Sequence, residues 1–192
     1  MSRTLNSTYP ELIQKAQHLF WVKGFKAVTP EDLAKHLNVS VSTIYNKYTK
    51  DLLFIDALDN YVVALSDPII DEVRNSTKGL DSFKDFFYML IDWLLDKSFT
   101  KSCLMVNTVV ELRHEQGRVS AVYERYFGNM KDCYRVVLKR AAEMKELKHP
   151  ERIEEYTEFM LGVIFGLSIL YKIKSREELR EYIDEQISLI ES

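Results

Sequence analysis

Residues 29–50 read TPEDLAKHLNVSVSTIYNKYTK, and this stretch predicts two short helices joined by a tight turn. Thr29 suits the N-cap of the first helix because its hydroxyl can accept a backbone N–H, and Pro30 suits the next position, where no N–H is needed. Asn38 tolerates the left-handed conformation that the turn demands, and Ser40 can cap the second helix. The first helix presents one apolar face, formed by Leu33, Ala34 and Leu37.

The second helix of this pair is short and rich in hydroxyls, and its inward apolar residues are Ile44 and Tyr48. Such a helix packs poorly alone, so we expect its outer face to meet a partner, and a helix-turn-helix offers DNA. Val41 could meet a thymine methyl and Asn46 could pair with adenine. Predicted groove contacts are Val41, Ser42, Tyr45 and Asn46, and predicted phosphate contacts are Thr29, Thr43, Lys47, Tyr48 and Lys50.

A longer pattern around this motif resembles the N-terminal signature of the tetracycline-repressor (TetR) family. The resemblance is carried by Ala16, Leu19, Phe20, Gly24, Phe25, Thr29, Asp32, Leu33, Ala34, Val39, Ser40, Thr43, Ile44, Tyr45 and Tyr48. The sequence departs from the family pattern in one residue and in the length of one link. Asn38 stands where the family usually has glycine, and the link from Tyr48 to Leu53 is one residue shorter, which leaves Lys50 as the candidate for the family's phosphate-contacting lysine.

The charge distribution supports a DNA-binding end on an acidic body. The chain has 192 residues and a net charge of −3, which alone argues against nucleic acid. Residues 1–50, however, hold seven Lys and Arg against three Asp and Glu, a net +4, so the remainder carries −7. Chance scatter is the alternative explanation, but the helix-turn-helix falls in the basic part.

The remaining composition predicts a helical, cytoplasmic protein without a cofactor. Hydrophobic residues make up 46% of the chain, with only 6 Gly and 4 Pro, which favours packed helices. The first ten residues lack the apolar run of a signal peptide, and no segment has the length of a membrane span. Two cysteines do not make a disulfide framework. The four histidines lack metal-site spacing, and no catalytic motif appears, so we expect neither metal nor enzyme activity.

Apolar periodicity predicts an all-α chain of about nine helices. We expect a three-helix helix-turn-helix DNA-binding domain over residues 1–49 and a helical ligand-binding and dimerisation domain over residues 50–192. Pro68 should kink or end the fourth helix. Asp81 or Ser82 should cap a helix that runs to about residue 97, and Pro150 should open one that ends near residue 174. Ser175 and Glu178 form a capping box for the last helix.

The helix over residues 155–171 is apolar nearly all round, which predicts burial on both sides. It could be a central core helix, but a helix-turn-helix reads palindromes as a dimer, so we favour a subunit interface. Gly162 and Gly166 would allow close approach of helices. The resemblance extends to CLMVNTVVEL (103–112) and to the two C-terminal helices, which in the family form a four-helix dimer interface. Predicted interface residues are Phe159, Gly162, Gly166, Ile169, Ile173, Leu179, Ile183 and Ile187.

The family resemblance also implies an apolar ligand pocket among the middle helices. Glu111 follows an apolar helix and could be a polar handle in that pocket, although a solvated helix end is the simpler interpretation. We expect the fourth helix, alone, to contact both pocket and DNA-binding domain. Predicted wall residues are Tyr61, Phe87, Trp93, Asn107, Glu111, Tyr123, Phe127 and Phe159.

Three functional hypotheses follow from these patterns. The first is a homodimeric repressor, released from a palindromic double-stranded DNA operator by a small, largely apolar ligand. The second is a nucleoid-associated or structural DNA-binding protein that ignores small ligands. The third, an all-α enzyme, has no residues at catalytic spacing to support it.

Overall fold

The computed structural model describes residues 8–96, 102–112 and 117–192, which form α-helices, one π-helical segment and connecting turns. If α4, the π segment and α5 are counted as one continuous helix, the described ranges hold nine helices, as predicted. The helices are α1 Tyr9–Lys23, α2 Pro30–Leu37, α3 Val41–Asn46, α4 Lys50–Tyr61, the π segment Val62–Ser66, α5 Asp67–Asn75, α6 Asp81–Leu95, α7 Leu104–Leu112, α8 Arg118–Glu143, α9 Ile153–Leu170 and α10 Arg176–Ser188.

The predicted helix starts and turns of the N-terminal part are confirmed. The Thr29 hydroxyl accepts the backbone N–H of Asp32 at 3.1 Å, and the Ser40 hydroxyl accepts that of Thr43 at 3.1 Å. Asn38 adopts φ 56°, the left-handed conformation expected of the turn residue. These local bonds fix where α2 ends and α3 begins, so they set the orientation of the helix pair.

Pro68 does not end the helix that contains it. The π segment Val62–Ser66 lies just before it, and α5 continues from Asp67 to Asn75. Proline has no N–H to donate to the carbonyl of Ala64, so the regular α-helical ladder must change at this point. A π turn accommodates that missing bond with one wider turn, so the predicted stop is wrong, while the predicted kink stays a prediction.

The prediction that Asp81 or Ser82 caps the start of α6 is wrong. Leu80 precedes the helix in a helical conformation, φ −61° and ψ −30°, and its N–H donates to the Glu146 carboxylate at 2.7 Å. Ser82 instead donates its hydroxyl to the carbonyl of Lys78 at 2.7 Å. A distant carboxylate therefore replaces the local cap. The helix ends at Leu95, and residue 97, its predicted end, lies outside the described ranges.

The bounds of α9 also differ from the prediction. The helix begins at Ile153 because Arg152 has φ −103° and ψ 33°, which is not helical, and Pro150 belongs to the preceding turn. It ends at Leu170 rather than near residue 174, where turns lead to α10. The capping box of Ser175 and Glu178 at the start of α10 is confirmed.

By packing, the chain divides into two compact units. The first comprises Met1–Ser66 and Cys103–Glu124, and the second Asp67–Ser102 and Arg125–Ser192. The core of the first unit contains Phe20 against Phe54, with ring centroids 5.0 Å apart. The core of the second contains Phe83 against Tyr134, also at 5.0 Å. The predicted functional boundary at residue 49 is a different kind of division and stays a prediction.

Candidate nucleic-acid interface

Helix α3 buries one side and leaves the other open. Ile44 is buried, as predicted, whereas Val41 is 39% exposed and Tyr45 is 59% exposed. Asn46 and Lys47 are exposed too. The exposed valine and tyrosine offer apolar surface that a bound partner can remove from water. This face of α3 is therefore the candidate for a contact with a DNA groove.

The hydroxyls at the start of α3 form a cluster. The Ser40 Oγ lies 2.8 Å from the Oγ of Ser42 and 2.7 Å from the Oγ1 of Thr43. Ser42 is exposed and Thr43 half-buried. Thr29, another predicted contact, is exposed but uses its side chain to cap α2. These hydroxyls could bind phosphate oxygens or base edges while they hold the helix start in place.

The two predicted phosphate-contacting lysines each lie over an aromatic ring. The Nζ of Lys47 is 4.8 Å from the centre of the Tyr48 ring, and the Nζ of Lys50 is 4.3 Å from that of Phe25. Such cation–π contacts restrict where an ammonium group sits. Lys50 begins α4, immediately after the capping residue Thr49.

Tyr48 is only 8% exposed and stacks on Tyr9, with ring centroids 5.3 Å apart. The Tyr9 hydroxyl donates to the Asp56 carboxylate, and burial followed by that hydrogen bond raises the pKa of Tyr9. This Tyr9–Asp56 contact joins α1 to α4 and was not expected from the sequence. Tyr48 thus supports the end of the recognition motif, and its own DNA contact stays a prediction.

Glu111 makes a contact that the sequence did not predict. Its carboxylate accepts the backbone N–H of Phe25 at 2.9 Å and that of Lys26 at 2.6 Å. The Lys26 ammonium donates to the Glu111 carbonyl at 2.9 Å. Both carboxylate oxygens are therefore engaged by the turn between α1 and α2. No local pattern could have shown this, because the partners are 85 and 86 residues apart.

We expected α4 alone to contact both the pocket and the DNA-binding domain, but α7 also contacts the N-terminal helices. Helix α7 is tied to the same unit at both ends. The Tyr61 hydroxyl donates to the Cys103 sulfur at 3.6 Å just before α7, and Glu111 binds the α1–α2 turn near its end. Burial raises the pKa of Tyr61 well above its ordinary value.

The predicted ligand-wall residues divide between the two units. Tyr61 is buried and Asn107, Glu111 and Tyr123 are half-buried in the first unit, while Phe87 is buried and Trp93, Phe127 and Phe159 are half-buried in the second. Phe127 packs on Phe165, with ring centroids 5.2 Å apart. Their role in ligand binding stays a prediction.

The second unit also contains a groove of 330 Å³ between α5 and α6. None of the predicted wall residues lines it. Its walls combine apolar side chains with two carboxylates: Ile69, Glu72, Val73, Ser76, Ser82, Asp85, Phe86 and Met89. The Asp85 carboxylate is engaged by the Lys78 ammonium at 2.6 Å.

The predicted dimer residues of α10 belong to the core of a single chain. Leu179 and Ile183 have no exposed surface and Ile187 has 7%, because α10 packs this stripe against α6 and α9. Gly166 also faces its own chain, since a Cβ there would lie 2.8 Å from the Tyr182 hydroxyl. Leu179 and Ile183 therefore have no surface of their own to offer a second subunit, whereas the place of Ile187 and Gly166 at a subunit contact stays a prediction.

The other predicted interface residues on and after α9 are accessible. Ile169 is 59% exposed, Ile173 is 77% exposed and Phe159 is half-buried. A Cβ added at Gly162 would meet no heavy atom within 4 Å. This side of α9 leaves apolar surface uncovered in the single chain. Leu189, 59% exposed after α10, was not predicted.

The described ranges hold neither a metal-binding cluster nor a membrane-spanning helix. Within residues 8–96, 102–112 and 117–192, no three His, Cys, Asp or Glu side chains cluster in a way that could hold a metal ion. Among the helices of those ranges, none combines the length and the apolar character needed to cross a membrane.

Comparison with known proteins gives matches over most of the chain. Residues 12–54 match the sequence model of the bacterial regulatory proteins of the tetR family, and residues 79–186 match that of the tetracyclin repressor-like C-terminal domain. The HTH-type regulator YezE of Bacillus subtilis (strain 168), itself uncharacterized, is 20% identical over 183 residues, covering 94% of each chain. The HTH-type transcriptional repressor ComR of Escherichia coli (strain K12) is 24% identical over 160 residues, covering 82% of this chain and 76% of ComR.

A solved structure shares the fold. A cysteine mutant of the TetR family transcriptional regulator CifR, complexed with 26-bp double-strand operator DNA, superposes with a TM-score of 0.80 and 19% identity, covering 98% of this chain and 100% of the other. The C-terminal match alone spans more than half of the chain, and the N-terminal match covers the helix-turn-helix. The chain therefore belongs to the TetR family of DNA-binding transcriptional regulators.

Proposed function

We propose that the protein is a homodimeric repressor that binds a palindromic operator and leaves it when a small, largely apolar ligand binds. The observation that carries the DNA part is the exposed face of α3. Val41 and Tyr45 stand open beside Asn46 and Lys47, whereas Ile44 anchors the helix from below. Two such helices, held by a two-fold axis, would read two half-sites of a palindrome.

Specific roles follow from chemistry and position. Val41 would contact a thymine methyl and Asn46 an adenine, with Ser42 and Tyr45 beside them at the base edges. Lys47 and Lys50 would bind phosphates, helped by the hydroxyls of Thr29 and Thr43 and by Tyr48. Phosphate contacts of this kind supply affinity and orientation, while the base contacts choose the sequence.

Dimerisation would bring the exposed side of α9 against its copy. Ile169 and Ile173 would then be covered by the partner, and Gly162 would let the two helices approach closely. The DNA bound in the CifR structure is 26 bp long. That length exceeds two turns of B-DNA at about 10–10.5 bp each, enough for two half-sites of a regulator with this fold.

The ligand would act by favouring a subunit arrangement in which the two recognition helices no longer match the spacing of the operator. The wall of the ligand pocket would include Tyr61, Phe87, Trp93 and Phe127, together with Asn107, Tyr123 and Phe159. The ligand and the DNA would then oppose each other by the same factor, because such coupling is reciprocal. Tight but equal binding to both arrangements would release nothing.

Selection of bound fragments from genomic DNA tests the proposal. We expect enrichment of a palindromic site, protected as two half-sites one helical turn apart or a multiple of it. Compounds that raise the melting temperature are then titrated against the operator complex. Enrichment of no common sequence would refute the repressor and favour the ligand-independent DNA-binding protein. A palindrome whose affinity resists every stabilising compound would refute only the ligand-release step.

A further inference from the structure

The turn between α1 and α2 is held by one carboxylate from a distant helix. Glu111, in the last turn of α7, accepts the N–H groups of Phe25 and Lys26 with its two oxygens, at 2.9 and 2.6 Å. The Lys26 ammonium closes the contact on the Glu111 carbonyl at 2.9 Å. Hydrogen bonds to an ionised group are stronger than neutral ones, so this triple contact is a firm link within its unit.

The glycine before the turn is shaped to this link. Gly24 ends α1 with φ 81°, and its N–H donates to the Phe20 carbonyl at 2.8 Å. A Cβ at Gly24 would lie 2.9 Å from one oxygen of Glu111. The positive φ favours glycine here, and the missing Cβ also leaves the space that the carboxylate occupies. After α1 ends, Phe25 and Lys26 have no helical carbonyl to bind, and Glu111 supplies the missing acceptors.

The held turn leads directly to the DNA-binding motif. The Phe25 ring packs on Phe54 with centroids 4.6 Å apart, and the Lys50 ammonium lies 4.3 Å above the same ring. The Phe25 carbonyl accepts the N–H of Val28, next to the α2 cap Thr29. The position of Phe25 thus bears on the first helix of the pair and on one proposed phosphate contact.

We propose that Glu111 is a positioning residue for DNA binding. Its carboxylate fixes Phe25, and Phe25 in turn holds the Lys50 ammonium and the entry to α2 in the orientation that DNA requires. The Lys50 part of this inference rests on the phosphate contact proposed above. Glu111 itself would touch neither a base nor a phosphate, so its effect on DNA must pass through the turn.

Two isosteric substitutions separate this role from simple electrostatics. Glu111→Gln keeps the shape but loses one acceptor and places an NH₂ group against a backbone N–H. Glu124→Gln is the matched control, since Glu124 is exposed, lies on α8 in the same unit and loses the same charge. Removing a negative charge from a DNA-binding protein should by itself strengthen the attraction to phosphates. We expect the opposite sign for Glu111→Gln, with operator affinity about tenfold lower, and no loss for Glu124→Gln.

The salt dependence distinguishes a displaced phosphate contact from general damage. We expect Glu111→Gln to reduce the slope of log K against log salt by about one unit for each DNA-binding domain on the operator. Lys50→Ala, measured in parallel, should reduce it equally. If Lys50→Ala leaves the slope unchanged while Glu111→Gln still weakens binding, the Lys50 contact is wrong and the turn acts through α2. Operator affinity of Glu111→Gln equal to or above that of the wild type overturns the inference.

Amide hydrogen exchange of the wild-type protein keeps the test decisive even if Glu111→Gln folds poorly. The N–H groups of Phe25 and Lys26 should be protected, although they lie in a turn outside any helix. Exchange at the rate of unstructured amides would show that the carboxylate does not hold them, and the inference would fall. Protection in the wild type that is lost in a folded Glu111→Gln variant supports it.

Discussion

Two glycines, one on α8 and one on α9, offer a matched test of the proposed dimer. Gly162 on α9 and Gly128 on α8 both lie inside helices, and an added Cβ would meet no heavy atom within 4 Å at either. A side chain can therefore begin at both positions without a clash at its Cβ, and the long, flexible arginine chain can extend from there toward solvent. Only Gly162 lies on the side of α9 that we propose as the subunit contact, so only Gly162→Arg should separate the subunits.

The expected magnitude follows from the geometry. Replacing a glycine inside a helix stabilises the subunit itself by about 0.5–1 kcal/mol, so neither variant should unfold. At a two-fold contact, each substitution occurs twice. If overpacking costs about 1–3 kcal/mol per copy, Gly162→Arg destabilises the dimer by about 2–6 kcal/mol. The dimer dissociation constant then rises by about 30-fold to 10⁴-fold.

Sedimentation equilibrium measures this difference, and circular dichroism checks that the helices remain. We expect Gly162→Arg to be a folded monomer with weakened operator binding, and Gly128→Arg to remain a dimer. A Gly162→Arg protein that dimerises and binds the operator like the wild type would refute the proposed interface. A wild-type protein that is monomeric at micromolar concentration would refute it as well. Gly166 is unsuitable for this test because its Cβ would press on Tyr182 of the same chain.

Three other predictions concern charge and thiol chemistry. Lys47→Ala should weaken binding to all DNA sequences alike and lower the salt slope by about one unit per bound DNA-binding domain. An unchanged slope would exclude a phosphate contact. The Lys23 ammonium and the Thr29 N–H lower the pKa of Asp32, so its stabilising effect is present above its ordinary value of 3.8 and is lost as pH falls through the lower folded value. Thermal unfolding of Asp32→Asn should therefore change less between about pH 5 and pH 3 than that of the wild type, and equal changes would contradict this. Burial raises the pKa of Cys133 to about 11, so a thiol reagent at about pH 8 should leave it unmodified until the protein unfolds; modification in the native protein at the rate of a free thiol would contradict this.

The features that the sequence predicted best depend on neighbours in the chain. Thr29, Asn38 and Ser40 each act within three or four residues, so residue type and spacing were enough to place α2 and α3. Family resemblance then added the function of the motif. Ser175 and Glu178 follow the same rule at the start of α10. These caps use partners within the same turn, which is why the predictions held, whereas the local cap expected for α6 was replaced by the distant Glu146 carboxylate.

The features that were missed join distant parts of the chain. Glu111 binds backbone N–H groups 85 and 86 residues away, and Glu146 binds that of Leu80 across 66 residues. A glutamate at the end of a helix has no pattern that distinguishes a solvated side chain from one that caps a distant turn. The sequence signal lay next to the bound turn, because Gly24 leaves room for a carboxylate beside Phe25 and Lys26. One sequence cannot show which carboxylate occupies that space.

Helices α9 and α10 show how apolar surface could have been assigned more accurately from sequence. Helix α10 has a single stripe, Leu179, Ile183 and Ile187, and one stripe can cover one neighbour. Its own chain buries that stripe almost completely, so the stripe leaves little apolar surface for a partner. Helix α9 has a second apolar side beyond the one buried in its own chain, and Ile169 remains exposed on it, followed by Ile173 in the turn beyond. Apolar surface in excess of what one chain can bury is what a partner must cover. The proposed subunit contact should therefore centre on α9 and the turn after it, with α10 contributing its edges rather than its stripe.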